Sequence, residues 1–418
     1  MTDAAVTPDY DLALAGGGLV GASLALALAP LGLRIALVEA VAPGQGEHPS
    51  FDERTTALAN GSVRVFRSLG VWRHMEREAT PIRRIHISDQ GRFGTARIDA
   101  AEQGLESLGC VLPNRVIGDA LQEGLRRCPQ VECVAPARVL GSELDDGVRR
   151  LSYEAGGAVR SFTARLVVAA DGARSLVREQ AGIGAQHWAY GQTAIIATLV
   201  TQRFHDHVAY ERFTPEGPIA VLPLRDGRCG LVWTRRPEEA ARLLALPDDA
   251  FLAELQSAFG FRLGRLLSVG RRQSYELGLW RAERHVGERL AVVGNAAQAL
   301  HPIAGQGFNL GLRDAASLAE VIADARAEGT GDVGATGPLA AYAAWRDQDQ
   351  RRIVAFTDGL VRLFANPLVA VRALRSLGLL AFDALPPAKS ALARLSVGAS
   401  GRIPRLARGV PLARGGSP

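Results

Sequence analysis

Lysine is almost missing from this chain. Lys389 is the only one in 418 residues, so arginine carries the net charge of +5 and the pI of about 9.3. The arginines are scattered, apart from Arg235-Arg236 and a tail from Arg402 onward. No basic stripe with interleaved aromatics runs through them, which argues against nucleic acid as a partner. The charge suits attraction to an anionic membrane surface. Cysteine is also scarce. Cys110, Cys128, Cys133 and Cys229 form no CxxC and have no histidine pair at zinc-finger spacing, so free, buried thiols in a reducing, bacterial-type cytoplasm are expected. No basic stretch followed by an apolar run and a cleavage site opens the chain, so no secretory leader is expected. The apolar stretch 19–33 is too short to span a bilayer and is interrupted by Ser23, Pro30 and Gly32. His205 and His207 lack a third ligand, so no metal is expected, and no Gly-x-Ser-x-Gly nucleophile is evident.

What is there reads as an ordinary globular enzyme, with 47% hydrophobic and 22% charged residues in a chain long enough for two or three lobes. Residues 11–15 read as a buried strand, 19–29 as a helix ended by Pro30 and Gly32, and 34–38 as a second strand closed by Glu39. That βαβ unit is the first half of a doubly wound sheet. A helix is predicted over 56–69, and another over 116–127. Strands are predicted at 82–88 and 94–98, a pair at 131–140 and 148–153, and an apolar strand at 166–170. Between 190 and 280 the texture becomes alternating, with strands at 194–201, 208–213, 219–224 and 228–234 and one helix at 247–259. A strand at 290–293, a long helix after Gly307 and a mostly helical C-terminal region complete the reading.

Three segments carry chemistry. In Gly16-x-Gly18-x-x-Gly21, Gly16 permits a tight turn, Gly18 lets a pyrophosphate approach the backbone, and Gly21 lets helix and strand pack closely. The phosphates then face the helix N-terminus, and Glu39 is placed for a ribose hydroxyl. This motif alone does not separate FAD from NAD. The second segment is Asp171-Gly172-Ala173-Arg174-Ser175-Leu176-Val177-Arg178, which follows an apolar strand at the carboxyl end of a sheet, where ligands bind. A bare Asp-Gly would be read as a surface turn. The third runs from Gly294 and Asn295 through His301, Pro302, Gly305, Gln306, Gly307 and Asn309 to Gly311. Its helix start could face negative charge developing on a ring, or be only a well-packed helix start. Trp233, Trp280 and Phe213 read equally as core or as a ring-binding wall.

Together the three segments resemble the class A flavoprotein aromatic hydroxylases of the p-hydroxybenzoate hydroxylase-like family, over roughly residues 10–350. Asn295 stands where that family has aspartate on the flavin ribityl chain. The stretch Gly294–Gly311 with Leu312-Arg313-Asp314, and the stretch Glu211-Arg212-Phe213-Thr214-Pro215-Glu216-Gly217-Pro218 with Leu222-Pro223-Leu224, resemble ubiquinone-biosynthesis hydroxylases. The Asn295/Gln298/His301 combination is similar to the branch acting on 2-polyprenyl-6-methoxyphenol.

The resemblance implies an α/β fold: an FAD-binding doubly wound domain, a mostly antiparallel β substrate domain and a C-terminal helical extension. Its boundaries are expected at 8–75, 105–182 and 285–330 for the FAD-binding parts, 76–104 and 183–284 for the substrate domain, and 331–418 for the helical region. It implies FAD at Gly16, Gly18, Gly21, Glu39, Arg54, Arg115, Asp171, Gly294, Asn295, Gly305, Gln306, Gly307 and Asn309. Phe213 and Pro223 would face substrate, Pro302 would shape the wall beside the ring, and His301 would polarise the phenol or hold the flavin loop. NAD(P)H would reduce FAD without a Rossmann domain of its own, and O₂ would add to give a flavin hydroperoxide that hydroxylates a prenylated phenol. A sister hydroxylase, an FAD-containing scaffold of a quinone-biosynthesis complex and a plain NAD dehydrogenase are the alternatives. The segment with Leu377–Leu380, Phe382 and Arg394–Arg408 is expected to lie on the inner membrane, to touch partner proteins, or to be plain structural helix.

Overall fold

The computed structural model describes residues 7–42, 52, 54–92, 94–299, 306–365, 385, 389–390, 398 and 401–413. Elements are labelled in chain order. The short apolar strands at the N-terminus form the centre of a sheet covered on both faces, which is why they read as continuous hydrophobic runs. β1 (Tyr10–Ala15) pairs in parallel with β2 (Ile35–Val38) on one side and with β11 (Ala158–Ala169) on the other. β8 (Val131–Val134) extends the sheet beyond β2, and β19 (Leu290–Val292) extends it beyond β11, both in parallel. β18 (Val286–Gly287) closes one edge. The hairpin of β9 (Arg138–Asp145) and β10 (Val148–Ala155) pairs with the first half of β11. α1 (Leu19–Leu28) is apolar all round because it lies between this sheet and two helices, α3 (Asn114–Arg126) and α7 (Gln306–Ala327).

A small sheet of β3 (Thr55–Ala59), β7 (Gly109–Pro113) and β4 (Thr80–Ile82) links this layer to a nine-stranded sheet. The large sheet runs β20 (Gln298–Ala299), β17 (Gln273–Ala282), β12 (Ala185–Thr201), β15 (Arg228–Arg235), β14 (Ile219–Pro223), β13 (Val208–Phe213), β5 (Arg84–Asp89), β6 (Thr95–Asp99), with β16 (Leu266–Val269) beside β12. Every pair is antiparallel except β13 with β5. Strand alternation gives this sheet two unlike faces. One carries Ile195, Ala197, Leu199, Ile219, Val221, Leu231 and Trp233, packed under α5 (Pro237–Ala245) and α6 (Asp248–Phe259). The other packs against the small sheet, with Ala209 and Leu222 beside Ile82 and Val111 and with Gly230 against Thr55. α2 (Asn60–Ser68), the short α4 (Leu176–Gln180) and the 30-residue α8 (Thr336–Ala365) complete the helices described.

Four local expectations are corrected. The helix predicted over 56–69 begins only at Asn60, because Thr55–Ala59 is a strand that pairs with β7. Two β-branched threonines favour that state, and the partner lies far along the chain. The strand predicted over 131–140 is two strands in different pairings, separated at Pro136, which has no N–H for a ladder. The single helix near 247–259 is preceded by a second, opened by Pro237 at its first position. The thiols are free, but Cys133 is exposed and Cys128 only half-buried; burial raises Cys110 and Cys229 to about 12.

The basic tail packs onto the cofactor layer. Arg402 donates to Glu320 at 3.1 Å and stacks over Trp345 at 3.8 Å. Arg405 reaches Asp324 at 2.6 Å, and Leu406, Ala407 and Leu412 join the core beneath α2 and α7. Residues 401–413 are thus tied to the cofactor layer, with Arg402 and Arg408 still exposed. Leu377–Leu380, Phe382 and Arg394 lie outside the described residues.

Candidate functional site

The Gly16–Gly21 turn leaves β1 and enters α1 with no room for side chains. Gly16 has φ +104°, and a Cβ there would sit 2.5 Å from the Ala170 carbonyl oxygen; one on Gly21 would sit 2.0 Å from the Gly16 oxygen. Gly18 is the N-cap of α1 and offers no side chain, so the first amides of the helix have no side-chain partner. Glu39, just past β2, accepts from Gly17 N at 2.7 Å and Val41 N at 2.9 Å. Those bonds hold the carboxylate over the turn. The turn, the open helix end and the carboxylate fit a dinucleotide.

Asp171 follows β11, across the sheet from that turn. Its Oδ2 accepts from Leu176 N at 3.0 Å, while Oδ1 is buried with no hydrogen-bond partner among the described residues. Burial raises this carboxyl, opposed by hydrogen bonds from Ser175 and from the Val177 and Leu176 amides. Ser175 and Arg178, which gave the motif its spacing, are used internally. Ser175 Oγ caps α4 by accepting from Arg178 N at 3.1 Å. Arg178 Nη1 donates to the Ala173 and Ala296 carbonyls at 3.0 and 2.8 Å, tying this segment to the Gly294 bend.

The bend after β19 rests on a buried polar network that sequence reasoning missed. Asp314 of α7, wholly buried, accepts from Gly294 N at 3.0 Å, from Gln298 Nε2 at 2.8 Å and from Arg346 Nε at 2.7 Å. Arg346 of α8 also binds Asp349 at 2.7 Å, and Asp349 pairs with Arg313 at 3.0 Å. Gln350 bridges Gln298 and His285. The network leaves Asn295 as the exposed side chain of the bend. Asp314 stood in the quoted motif, but nothing in the sequence marked Arg346 as its partner.

His301, Pro302 and Gly305 lie outside the described residues. Gln306 and Gly307 open α7. The side chain of Asn309 is committed elsewhere: Oδ1 accepts from Ala59 N at 2.8 Å and Ser62 Oγ at 2.7 Å, and Nδ2 donates to Ala57 O at 2.8 Å. It fastens α7 to the end of β3, leaving only its backbone for a ligand. Arg54 pairs with Asp52 at 2.6 Å and lies over the Tyr275 ring at 4.7 Å. Arg115, at the start of α3, is half-exposed, and its amide bonds to the Asp52 carbonyl at 2.9 Å. β3 and β7 thus bring the two arginines together at one end of the small sheet.

Between that end and the large sheet lies the cleft. The register sets Ile196, Val232, Ala220, Glu211 and Ile87 side by side across five strands. All five are only partly buried, whereas the opposite-face neighbours of Ile196, Val232 and Ala220 are buried. A row of four apolar residues and one acid left open in mid-sheet is a candidate ligand surface. Nearby, the Thr55 and Thr234 hydroxyls are buried without partners. Phe213 is buried on this face, next to Glu211 in the alternation. Pro223 pairs with Cys229 and shares the face of Val221, so it points into the core under α6 and not toward the cleft. Trp233 is core, against Phe251, and Trp280 stacks on His187 at 4.2 Å. His205 is spent on backbone, with Nε2 against Leu224 O at 2.8 Å and Nδ1 accepting from His207 N at 3.1 Å.

Comparison with known proteins agrees with this geometry. A family model described as FAD binding domain matches residues 9–357. Ubiquinone hydroxylase UbiL of Rhodospirillum rubrum is 42% identical over 96% of this chain and 93% of its own length. The 3-demethoxyubiquinol 3-hydroxylase of Escherichia coli is 33% identical over 89% of this chain and 94% of its own. Among solved structures, p-nitrophenol 4-monooxygenase PnpA from Pseudomonas putida superposes with a TM-score of 0.77 at 19% identity, covering 94% of this chain and 99% of its own.

Proposed function

The chain belongs to the FAD binding domain family and is an FAD-dependent monooxygenase; from that premise we propose that it hydroxylates the aromatic ring of a polyprenylated phenol on the way to ubiquinone. Its first substrate in this reading is 2-polyprenyl-6-methoxyphenol. The observation that carries the reading is the 42% identity to a ubiquinone hydroxylase over almost the whole of both chains. The open apolar row of the large sheet supports it, because a substituted ring needs a flat, water-poor wall.

Bound FAD supplies the redox chemistry, taking electrons from NAD(P)H and activating O₂. The chain's own residues supply placement. The α1 amides would hold the FAD pyrophosphate, Glu39 its ribose, and Arg54 and Arg115 its phosphates from β3 and α3. Asp171 and Asn295 would bind it from the ends of β11 and β19, and Gly294 would let that bend approach closely. By the family resemblance, the stretch Gly305–Asn309 would serve the ring edge, and His301 and Pro302 the phenol. The cofactor lobe draws on 8–75, 105–182 and 285–330, and the substrate lobe on 76–104 and 183–284. No helix among the described residues is long and apolar enough to cross a membrane. In this reading the prenylated substrate is met at the membrane surface or within a complex of pathway enzymes.

The test is a deletion strain. Accumulation of 2-polyprenyl-6-methoxyphenol, cleared by wild-type protein, is the expected result. The relative that acts on 3-demethoxyubiquinol favours a sister position as second reading, and accumulation of that precursor would select it. Restoration of quinone by a Gly18 variant unable to retain FAD would overturn both in favour of a scaffold.

A further inference from the structure

Glu211 sits where a stable protein gains nothing from an acid. It lies in the middle of β13, between Ala220 of β14 and Ile87 of β5, and is the only ionisable side chain in the open row with Ile196 and Val232. Its strand neighbours point the other way. Tyr210 packs edge-on against Phe259 at 5.7 Å, and Arg212 donates to the Ala258 carbonyl at 2.9 Å. The flanking cation is therefore on the wrong side of the sheet to neutralise it. Among the described residues Glu211 has neither a hydrogen bond nor an ion pair, and burial alone pushes its carboxyl up to about 7. The other ionisable groups fronting this face are Asp89, one step along β5 beside Phe213, and Tyr275 and Arg54, which lie against each other at the far end. A desolvated, unpaired acid costs stability unless a ligand answers it. An apolar side chain here would complete the row and close the cleft.

We propose that Glu211 is the group that receives the hydroxyl proton of the phenolic substrate. This rests on the reading of the protein as a phenol hydroxylase. The ring lies on the row of Ile196, Val232 and Ala220, and its hydroxyl donates to a Glu211 carboxylate oxygen. The O–H bond then breaks, the proton passes to the carboxylate, and the electron pair stays on the phenolic oxygen. The ring becomes richer in electrons and more reactive toward electrophilic oxygen, and the proton leaves to solvent when product departs. No other reactant is needed. The position suits the task because a base with a carboxyl near 7 is ionised in part at cellular pH yet basic enough to hold a proton.

The experiment uses the FAD-loaded protein and 2-methoxyphenol carrying a short prenyl chain. The ultraviolet difference spectrum of the bound phenol is titrated with pH, beside NAD(P)H consumption and product yield. In wild type the bound phenol is expected to stay neutral and hydrogen-bonded, with its phenolate midpoint above that of the free phenol, because the ionised Glu211 opposes a second negative charge beside it and takes the proton only as the ring is oxygenated. Glu211→Gln should bind FAD and phenol within about tenfold of wild type and bring the phenolate midpoint back toward the free value. It should also lose the low-pH limb of kcat/KM and drop product per NAD(P)H at least tenfold. Glu211→Asp keeps the acid and should restore the raised midpoint and the low-pH limb, which guards against a folding defect in the Gln variant. A Gln variant with the wild-type titration and limb, or a folded, FAD-loaded Asp variant with neither, overturns the assignment alone. A wild-type protein that neither binds nor turns over the prenylated methoxyphenol overturns the functional reading and this proposal with it.

Discussion

A single methyl group is too much at Gly21, where a Cβ would lie 2.0 Å from the Gly16 oxygen. Backbone cannot yield there without moving α1 off the sheet. Gly21→Ala is expected to cost about 1–3 kcal/mol and most of the bound FAD. Absorbance near 450 nm per protein, with a urea melt, checks it. Glu211 makes the opposite prediction for stability. Its folded carboxyl is raised from 4.5 to about 7 by burial. The native state therefore binds the proton more tightly than the unfolded chain between those values. The associated stability is present below about 4.5 and is lost as pH rises through about 7. Glu211→Gln has no such loss, so its Tm should exceed that of wild type increasingly from pH 5 to 7.5. The gain is bounded at roughly 3 kcal/mol by the size of the shift. Equal melting curves for the two proteins across that range would count against a desolvated acid at this position.

At the scale of elements, the helix that touches no predicted motif holds the site together. α8 delivers Arg346 to Asp314 of α7, both fully buried, and Asp314 in turn holds the Gly294 amide and Gln298. Removing one partner leaves a charge buried and unanswered. Arg346→Ala should destabilise by about 3–5 kcal/mol and loosen the Gly294 bend, seen as faster hydrogen exchange at Gly294–Ala297. Unchanged stability would mean that the network is not the support of the bend. Elements also show where local reading stops. Val116–Arg127 was legible as an amphipathic helix because its period is its own, and the structure gives Asn114–Arg126. Thr55–Ala59 was hidden inside a helical pattern because its state depends on β7 and on Asn309, about 250 residues away.

The whole molecule joins chain-distant segments at one place. The turn at 16–21, the segment after β11, the bend after β19 and the start of α7 converge only in the folded state, so a cofactor held by them binds the native chain alone. Reconstitution of stripped protein with FAD should raise its Tm, with about 2.7 kcal/mol of stabilisation at a hundredfold excess over Kd. A melting point indifferent to FAD would show that these segments do not form one site. The same long-range closure explains the tail: 401–413 looked like a basic surface by composition, yet its arginines find Glu320 and Asp324 on α7.

The sequence by itself determined the βαβ unit, the glycine turn, the Asp171 and Gly294 segments and, through their resemblance, the flavoprotein class. These are local patterns: a turn needs glycine where a side chain would collide, and a strand needs apolar residues where both faces are covered. Only the tertiary structure decided which faces those strands present. Phe213 and Pro223 were indistinguishable in the chain, but alternation across β13 and β14 turns one toward the cleft and the other into the core. It likewise made a structural clamp of Asn309, a scaffold of Arg346, and an unpaired acid of Glu211. A side chain's role depends on what opposes it across the sheet, and those opposing groups lie far along the chain.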